Sequence, residues 1–258
     1  IQPSTSMCFS FIFDLSFTPN LGHAQSILGV ARELAASLQL KLHIPSPSLN
    51  EKGSEEMSVS LEDPATSPRF ACRVMTAVKV APSPPWMRER LIQCGLRPIN
   101  NIVDISNYVM LELGHPLHCF DRDKIVGSQI IVKAANSPQK LETLDHTVRD
   151  IPPQTLLVCD QTKPLDIAGI MGGLDSSTTE STQNILIIAA VFAPTSIRKA
   201  SRMIGLKTDA SSRFDRGVDI EGPVRSITRA AELIQAMAGG TIHPCVDAYR
   251  LKAQTKKI

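Results

Sequence analysis

Residues 185 to 192, Ile-Leu-Ile-Ile-Ala-Ala-Val-Phe, form an almost unbroken apolar run. A strand with one wet face alternates apolar and polar residues. A run without alternation fits a strand buried on both faces. Other strands are predicted at 69–81 (Phe70, Cys72, Val74, Ala77, Val78, Val80), at Ile130–Ala134 and at Leu156–Cys159. Between them, Ser83-Pro84-Pro85 opens a helix, with Ser as cap and Pro in the first turn. That helix runs from Trp86 to Cys94 and stops at Gly95. A last helix spans Val224 to Ala238 and ends at Gly239-Gly240. Strands interleaved with a few helices define a mixed α/β (α+β) domain. A chain of 258 residues holds one large domain, or a domain plus a flanking piece.

Upstream, Ile27, Val30, Ala31, Leu34, Ala35 and Leu38 recur at helical spacing within 24–40. Thr18-Pro19-Asn20 reads as the turn and cap before it. Residues 44–68 crowd Pro, Ser, Asn, Gly and Glu together and read as an exposed tether. The first residues mix apolar and Ser/Thr positions without a basic leader, and the chain starts at Ile1. The expectation is a chain cut from something longer.

Lys and Arg number 27 against 25 Asp and Glu, a net charge of +2. A stand-alone nucleic-acid binder carries a larger basic excess, because phosphate contacts supply most of its affinity. Contact with RNA is therefore expected to be local or assisted. Cys8, Cys72, Cys94, Cys119, Cys159 and Cys245 are widely and irregularly spaced, with no CxxC pair. Neither a zinc site nor a disulfide scaffold is expected; reduced thiols in a cytoplasmic protein are. No apolar run is long enough to span a membrane. No Gly-rich loop of the P-loop or dinucleotide type is found.

Three segments stand out. Arg97 to Tyr108 is dense in Asn and Asp within an apolar stretch. Leu113-Gly114-His115-Pro116-Leu117-His118-Cys119-Phe120-Asp121 follows at once. Ile167-Ala168-Gly169-Ile170-Met171-Gly172-Gly173 is a small-residue loop where backbone can approach a ligand closely. Each has a plain alternative: turns with local hydrogen bonds, a structural histidine, and an ordinary loop.

In this order the segments resemble the bacterial-type β subunit of phenylalanine–tRNA ligase. The resemblance extends to Ser83-Pro84-Pro85-Trp86-Met87, to Leu141 through Asp145, to Ala193-Pro194 with Ser196-Ile197-Arg198, and to Gly205 through Asp219. It implies four parts: the end of a preceding B1-like domain at 1–43, a linker at 44–68, a B3/B4 editing domain at 69–242, and the start of a next domain or linker at 243–258. The implied activity is hydrolysis of tyrosine wrongly esterified to the phenylalanine tRNA. A pocket for phenylalanine cannot strongly reject an analogue that merely adds a hydroxyl, so a second sieve is needed. The implied catalytic residues are His118, Asn107 and Ser106. Ala168, Gly169, Ile188, Thr208 and Ala210 are implied to shape the amino-acid pocket. The implied partners are an α subunit in an α2β2 holoenzyme and tRNA(Phe), with tyrosine as editing product. No cofactor is implied for this chain; ATP and Mg2+ serve the holoenzyme's synthetic site on the other subunit.

The chain departs from the family at Ile188, where a Glu is usual and is the group expected to bind the tyrosine hydroxyl. Isoleucine accepts no hydrogen bond, so weakened tyrosine discrimination is expected. Val191 replaces a usual Phe, and His146 a usual Gly. The departure at Ile188 keeps a second reading open, a non-catalytic RNA-binding or scaffold domain with impaired editing. Arg198, Lys199 and Arg202, with Lys207, Arg213 and Arg216, form a basic stretch with two readings: contact with the tRNA, or internal pairing with Asp215 and Asp219.

Overall fold

The computed structural model describes residues 12–44, 46–55 and 57–250. Cys8, the first eleven residues and the end of the expected 243–258 segment, from 251 on, lie outside the described residues. Among those described, the order of helices and strands is α1 (Ile27–Leu38), β1 (Ser58–Leu61), β2 (Arg69–Thr76), α2 (Pro85–Gln93), α3 (Asn101–Leu113), β3 (Leu117–Asp121), β4 (Gln129–Ala134), β5 (Gln139–Glu142), β6 (Val148–Ile151), β7 (Leu156–Cys159), β8 (Pro164–Ile167), β9 (Met171–Gly172), β10 (Ile185–Val191), α4 (Pro194–Ile204), α5 (Asp209–Arg216), α6 (Gly222–Ala238) and β11 (Thr241–Tyr249). The mixed α/β class is as expected.

β10 carries the fold. All seven of its residues are buried. Leu186, Ile188 and Ala190 face one apolar core with Phe70, Phe120 and Leu165. Ile185, Ile187 and Ala189 face a second core with Met87, Ile105 and Ile234 from α2, α3 and α6. The missing polar alternation is thus explained by helices on one side and a second sheet on the other. Burying one such Leu, Ile or Phe side chain contributes roughly 1.5–3 kcal/mol.

The sheet containing β10 is antiparallel, in the order β11-β2-β10-β3. The second sheet runs β1-β4-β7-β8-β9, with β1 parallel to β4 and the remaining pairs antiparallel. β5 and β6 form a separate hairpin.

Several expectations are corrected. The segment at 44–68 is more than a tether, since it supplies β1, and Met57 is buried. Nor does the sheet stop at 242, because β11 pairs with β2 through Tyr249. Buried Arg69 locks that pairing: Nε and Nη2 donate to the Asp247 carboxylate at 3.0 and 2.8 Å, and Nη1 donates to Glu221 at 2.6 Å. β2 ends at Thr76 rather than near 81, where Ala77 takes φ +56° and turns the chain. On α1 the expected apolar face is only partly covered: Ile27, Leu34 and Leu38 are exposed, Val30, Ala31 and Ala35 are half-buried, and Leu28 and Gly29 are buried. Its cap is Ser26, whose Oγ accepts from Gly29 N–H at 2.9 Å. Pro19–Ala24 is a short 3-10 helix.

Ser83 does not cap α2. Its hydroxyl donates to Asp104 Oδ2 at 2.6 Å, and Asp104 Oδ1 accepts from Ile99 N–H at 2.8 Å. The Asn/Asp-rich segment forms α3, capped by Asn100, which accepts from Ile102 and Val103 N–H. Asn101 bridges back to Lys79 and Ala81 main chain. Those polar side chains fix the start of a largely buried helix, one side of which, from Asn100 to Met110, borders open space.

Candidate functional site

A cavity of about 570 Å³ lies beside β3, the edge strand of the central sheet. That size is in the range of small-molecule sites. Its walls come from α3, β3, β8, β9, the turn between them, β10 and the start of α5. The expected site residues His118, Asn107, Ser106, Gly169, Ile188, Thr208 and Ala210 all border it. Ala168 does not: it is 1% exposed and packs into the core. Arg198, Lys199 and Arg202 lie outside the cavity on exposed positions of α4. Arg198 pairs with Asp215, and Arg213 with Asp209, so part of the basic stretch is internally paired. Among the described residues, Lys199 and Arg202 enter none of the ion pairs that hold their neighbours.

The two histidines of His115-Pro116-Leu117-His118 divide the work. His115 is buried at 2% exposure, and its Nε2 donates to Ala190 O at 3.0 Å. It packs edge-on against Phe214 and is structural. His118 sits on β3 with Ile188 as its cross-strand partner, so both side chains lie on one face. Its ring packs edge-on against Phe120, with centroids 4.5 Å apart. Nε2 of His118 is sealed from solvent and has no hydrogen-bond partner. Burial pushes its pKa down to about 4, so the imidazole is neutral at pH 7.

The small-residue loop is shaped by its neighbours. Gly169 has φ +69°, and a Cβ there would meet Phe192 and Phe214 at 2.9 Å. A Cβ on Gly172 would meet His118 Cε1 at 2.6 Å and Nε2 at 2.8 Å. Only hydrogen at Gly172 lets the imidazole lie where it does. Thr208 fixes the far wall. It caps α5, accepting from Ser211 N–H at 3.1 Å, and donates to Ile170 O at 2.9 Å. Its hydroxyl is committed to structure and sets the distance between α5 and the loop. Ser106 is likewise engaged, donating to Val103 O at 2.6 Å. Asn107 is half-buried on the cavity wall.

Sequence reasoning missed Asp166, and it singled out Gly172 only as part of the small-residue loop. Asp166 lies on β8, is 6% exposed, and borders the cavity. Its Oδ1 is buried without a partner, and burial pushes its pKa up to about 7. The available signal was one carboxylate inside Pro-Leu-Asp-Ile, an otherwise apolar strand leading into the Gly loop. Among the described residues no group of three or more His, Cys, Asp or Glu could hold a metal. No helix there is long and apolar enough to cross a membrane.

A two-sheet α/β domain with a cavity at its sheet edge has a counterpart among known families: residues 66–239 match the B3/4 domain, and the chain belongs to that family. More particularly, it is 45% identical over 250 residues to the phenylalanine–tRNA ligase beta subunit of Carboxydothermus hydrogenoformans, covering 96% of this chain and 31% of that one. It is 44% identical over 248 residues to the corresponding subunit of Protochlamydia amoebophila, covering 95% and 30%. The chain thus spans just under a third of the length of these relatives. Among solved structures it resembles an N-terminal fragment of the phenylalanyl-tRNA synthetase beta-subunit from Pyrococcus horikoshii. The TM-score is 0.50 at 16% identity, over 88% of this chain and 61% of that one, a likeness of fold.

Proposed function

We propose that the cavity beside β3 is a hydrolytic editing site of a phenylalanine–tRNA ligase β subunit, acting on tyrosine wrongly esterified to tRNA(Phe). The observation that carries this reading is the half-open cavity that His118 borders. A pocket of about 570 Å³ has room for a phenol ring, and its apolar walls include Ile188, Val158 and Phe192. Had the groups around the imidazole packed solidly together, no amino acid could enter.

Hydrolysis adds water to the ester carbonyl carbon, releases tyrosine, and returns the ribose hydroxyl of the tRNA with a proton. His118 is the side chain best placed to hold that water or the substrate. The imidazole is neutral; its Nε2 is sealed against Gly172, so Nδ1 is the ring nitrogen left to bond what enters the cavity. With its pKa near 4 it is a weak base, so its contribution is orientation, supplemented by Asn107 across the cavity. Synthesis of the ester, with ATP and Mg2+, falls to the α subunit of the α2β2 enzyme, and tRNA reaches this site from there. The exposed basic residues Lys199 and Arg202 on α4 are a candidate contact for the tRNA. The enzyme works in the cytoplasm with the other synthetases.

The test is deacylation of Tyr-tRNA(Phe) and Phe-tRNA(Phe) by the complete β subunit assembled with its α subunit. Hydrolysis of the tyrosyl ester in preference to the phenylalanyl ester, reduced about 100-fold or more by His118→Ala, is the expected result. Equal, background-level loss of both esters would instead support a non-catalytic RNA-binding domain.

A further inference from the structure

We propose that Asp166 is the specificity residue of the cavity, taking the phenolic hydroxyl of the bound amino acid together with His118. This rests on the reading of the cavity as a tyrosine-editing site. Ile188, at the position where an acceptor is expected, can only provide an apolar wall.

The argument is geometric. Asp166 on β8 is the cross-strand partner of Gly172 on β9. Partners in an antiparallel ladder project to the same face, with Cβ positions about 4.5–5.5 Å apart. The Cβ position of Gly172 points into the imidazole of His118, 2.6 Å from Cε1 and 2.8 Å from Nε2. Gly172 therefore brings Asp166 and His118 to one face of the β8–β9 edge, with the imidazole filling the space a side chain at 172 would take. The two are not bonded to each other: Oδ1 of Asp166 and Nε2 of His118 both lack partners.

Nine buried side-chain polar atoms lack a partner among the described residues, and these two are the ones on residues that border the cavity. Those two atoms are sealed, so a ligand hydroxyl meets the other atoms of the same groups, Asp166 Oδ2 and His118 Nδ1, which are not among the sealed ones. A buried carboxyl without a partner gains from such a bond. A phenol can donate its proton to the carboxylate and accept from the imidazole. Phenylalanine can do neither, and it leaves both groups unsatisfied. That asymmetry discriminates strongly, where a purely apolar slot would not. Burial pushes the Asp166 carboxyl up to about 7, so near neutrality it is also able to donate.

The experiment compares wild type, Asp166→Ala and Asp166→Asn in the complete β subunit assembled with its α subunit. Two quantities are measured: the ratio of Tyr-tRNA(Phe) to Phe-tRNA(Phe) deacylation, and the binding of free L-tyrosine against L-phenylalanine by calorimetry. Asp166→Ala is expected to lower the deacylation ratio roughly 10-fold or more, and Asp166→Asn less, because the amide oxygen still accepts. Tyrosine binding should weaken in parallel and phenylalanine binding should not. An unchanged ratio in a folded Asp166→Ala enzyme overturns the assignment. If wild type leaves Tyr-tRNA(Phe) intact, the editing reading fails, and calorimetry alone decides the role of Asp166. Tyrosine preferred over phenylalanine by wild type but not by Asp166→Ala then supports it; equal binding by all three proteins refutes it.

Discussion

Replacing Asp166 by Asn keeps the shape of the site and removes its charge, so the difference in stability between the two proteins isolates one buried carboxyl. Burial raises the folded-state pKa of Asp166 from 3.8 to about 7. The sign follows from proton linkage. Between these values the folded protein holds the proton while the unfolded chain has released it. Wild type therefore loses stability as the pH rises from about 4 to 7, and the full penalty is present above 7. A separation of about three pH units corresponds to roughly 4 kcal/mol at pH 8, about 3 kcal/mol at pH 6 and under about 1 kcal/mol at pH 4. Asp166→Asn should accordingly gain on wild type by about these amounts relative to the most acidic conditions. His115 and His118 act in the opposite sense. Burial lowers both pKa values from 6.5 to about 4, so their contribution is present above 6.5 and lost as the pH falls through 4. Both proteins carry those histidines, so their effect cancels to first order in the difference. The assay is urea unfolding of the two proteins at intervals from pH 4 to 8, with midpoints compared at matched slopes. A difference that stays flat over this range would show that the carboxyl is solvated, and the argument for an unpartnered acid in the cavity would go with it.

Other perturbations probe the same walls. Ile188→Glu places a carboxylate beside His118, its cross-strand partner. It should raise the preference for the tyrosyl ester roughly 5- to 150-fold, most clearly in an Asp166→Ala background. Equal selectivity with and without it, in competition deacylation assays, would remove the hydroxyl-acceptor idea at 188. Gly172→Ala introduces a methyl 2.6 Å from the imidazole, so the ring must move. The expectation is a stability loss of about 1–3 kcal/mol by urea unfolding and a deacylation rate at least tenfold lower. His146 borders the cavity with φ +58°, a conformation that suits glycine. His146→Gly should therefore raise the urea midpoint by the equivalent of about 0.5–1 kcal/mol, and a lower midpoint would contradict the strain argument.

The buried strand β10 was legible because a run of seven or eight apolar residues without polar alternation suits little except a strand covered on both faces. Helices α2 and α6 were legible from their Pro and Gly punctuation. The start of α3 was not, because Asn and Asp are ordinary turn formers. In the fold Asn100 caps the helix, Asn101 ties it to the preceding strand exit, and Asp104 is satisfied by Ser83. The same residue types serve turns and buried helix starts, and only tertiary partners separate the two uses. β1 and β11 were missed for a related reason. β1 is four half-exposed residues, and β11 carries Pro244 and a register shift between Ile242 and Cys245. Around the site, family resemblance pointed to His118, Asn107 and Gly169, all on the cavity wall. It gave no sign of Asp166, whose significance depends on its pairing with Gly172 across a two-residue strand.

Unpartnered buried atoms carry a cost that a fold selected for stability alone would avoid. Arg69 shows what this fold does elsewhere with a buried charge: it surrounds the guanidinium with two carboxylates, a carbonyl and an aromatic ring. Asp104 is similarly answered by a hydroxyl and a main-chain N–H. At Asp166 and His118 no such answer is built, although Thr178, Ser177 and Asn107 border the same space and could have been placed to supply one. Other buried atoms, His115 Nδ1 and Arg73 Nε among them, also lack partners; Asp166 and His118 differ from these in bordering the cavity, where on the proposed reading a ligand completes them. On the proposed editing reading, a site that holds a hydroxyl-bearing amino acid and rejects its apolar twin must leave hydrogen-bonding capacity unused in the free protein. If that capacity were satisfied internally, binding tyrosine would gain nothing over binding phenylalanine.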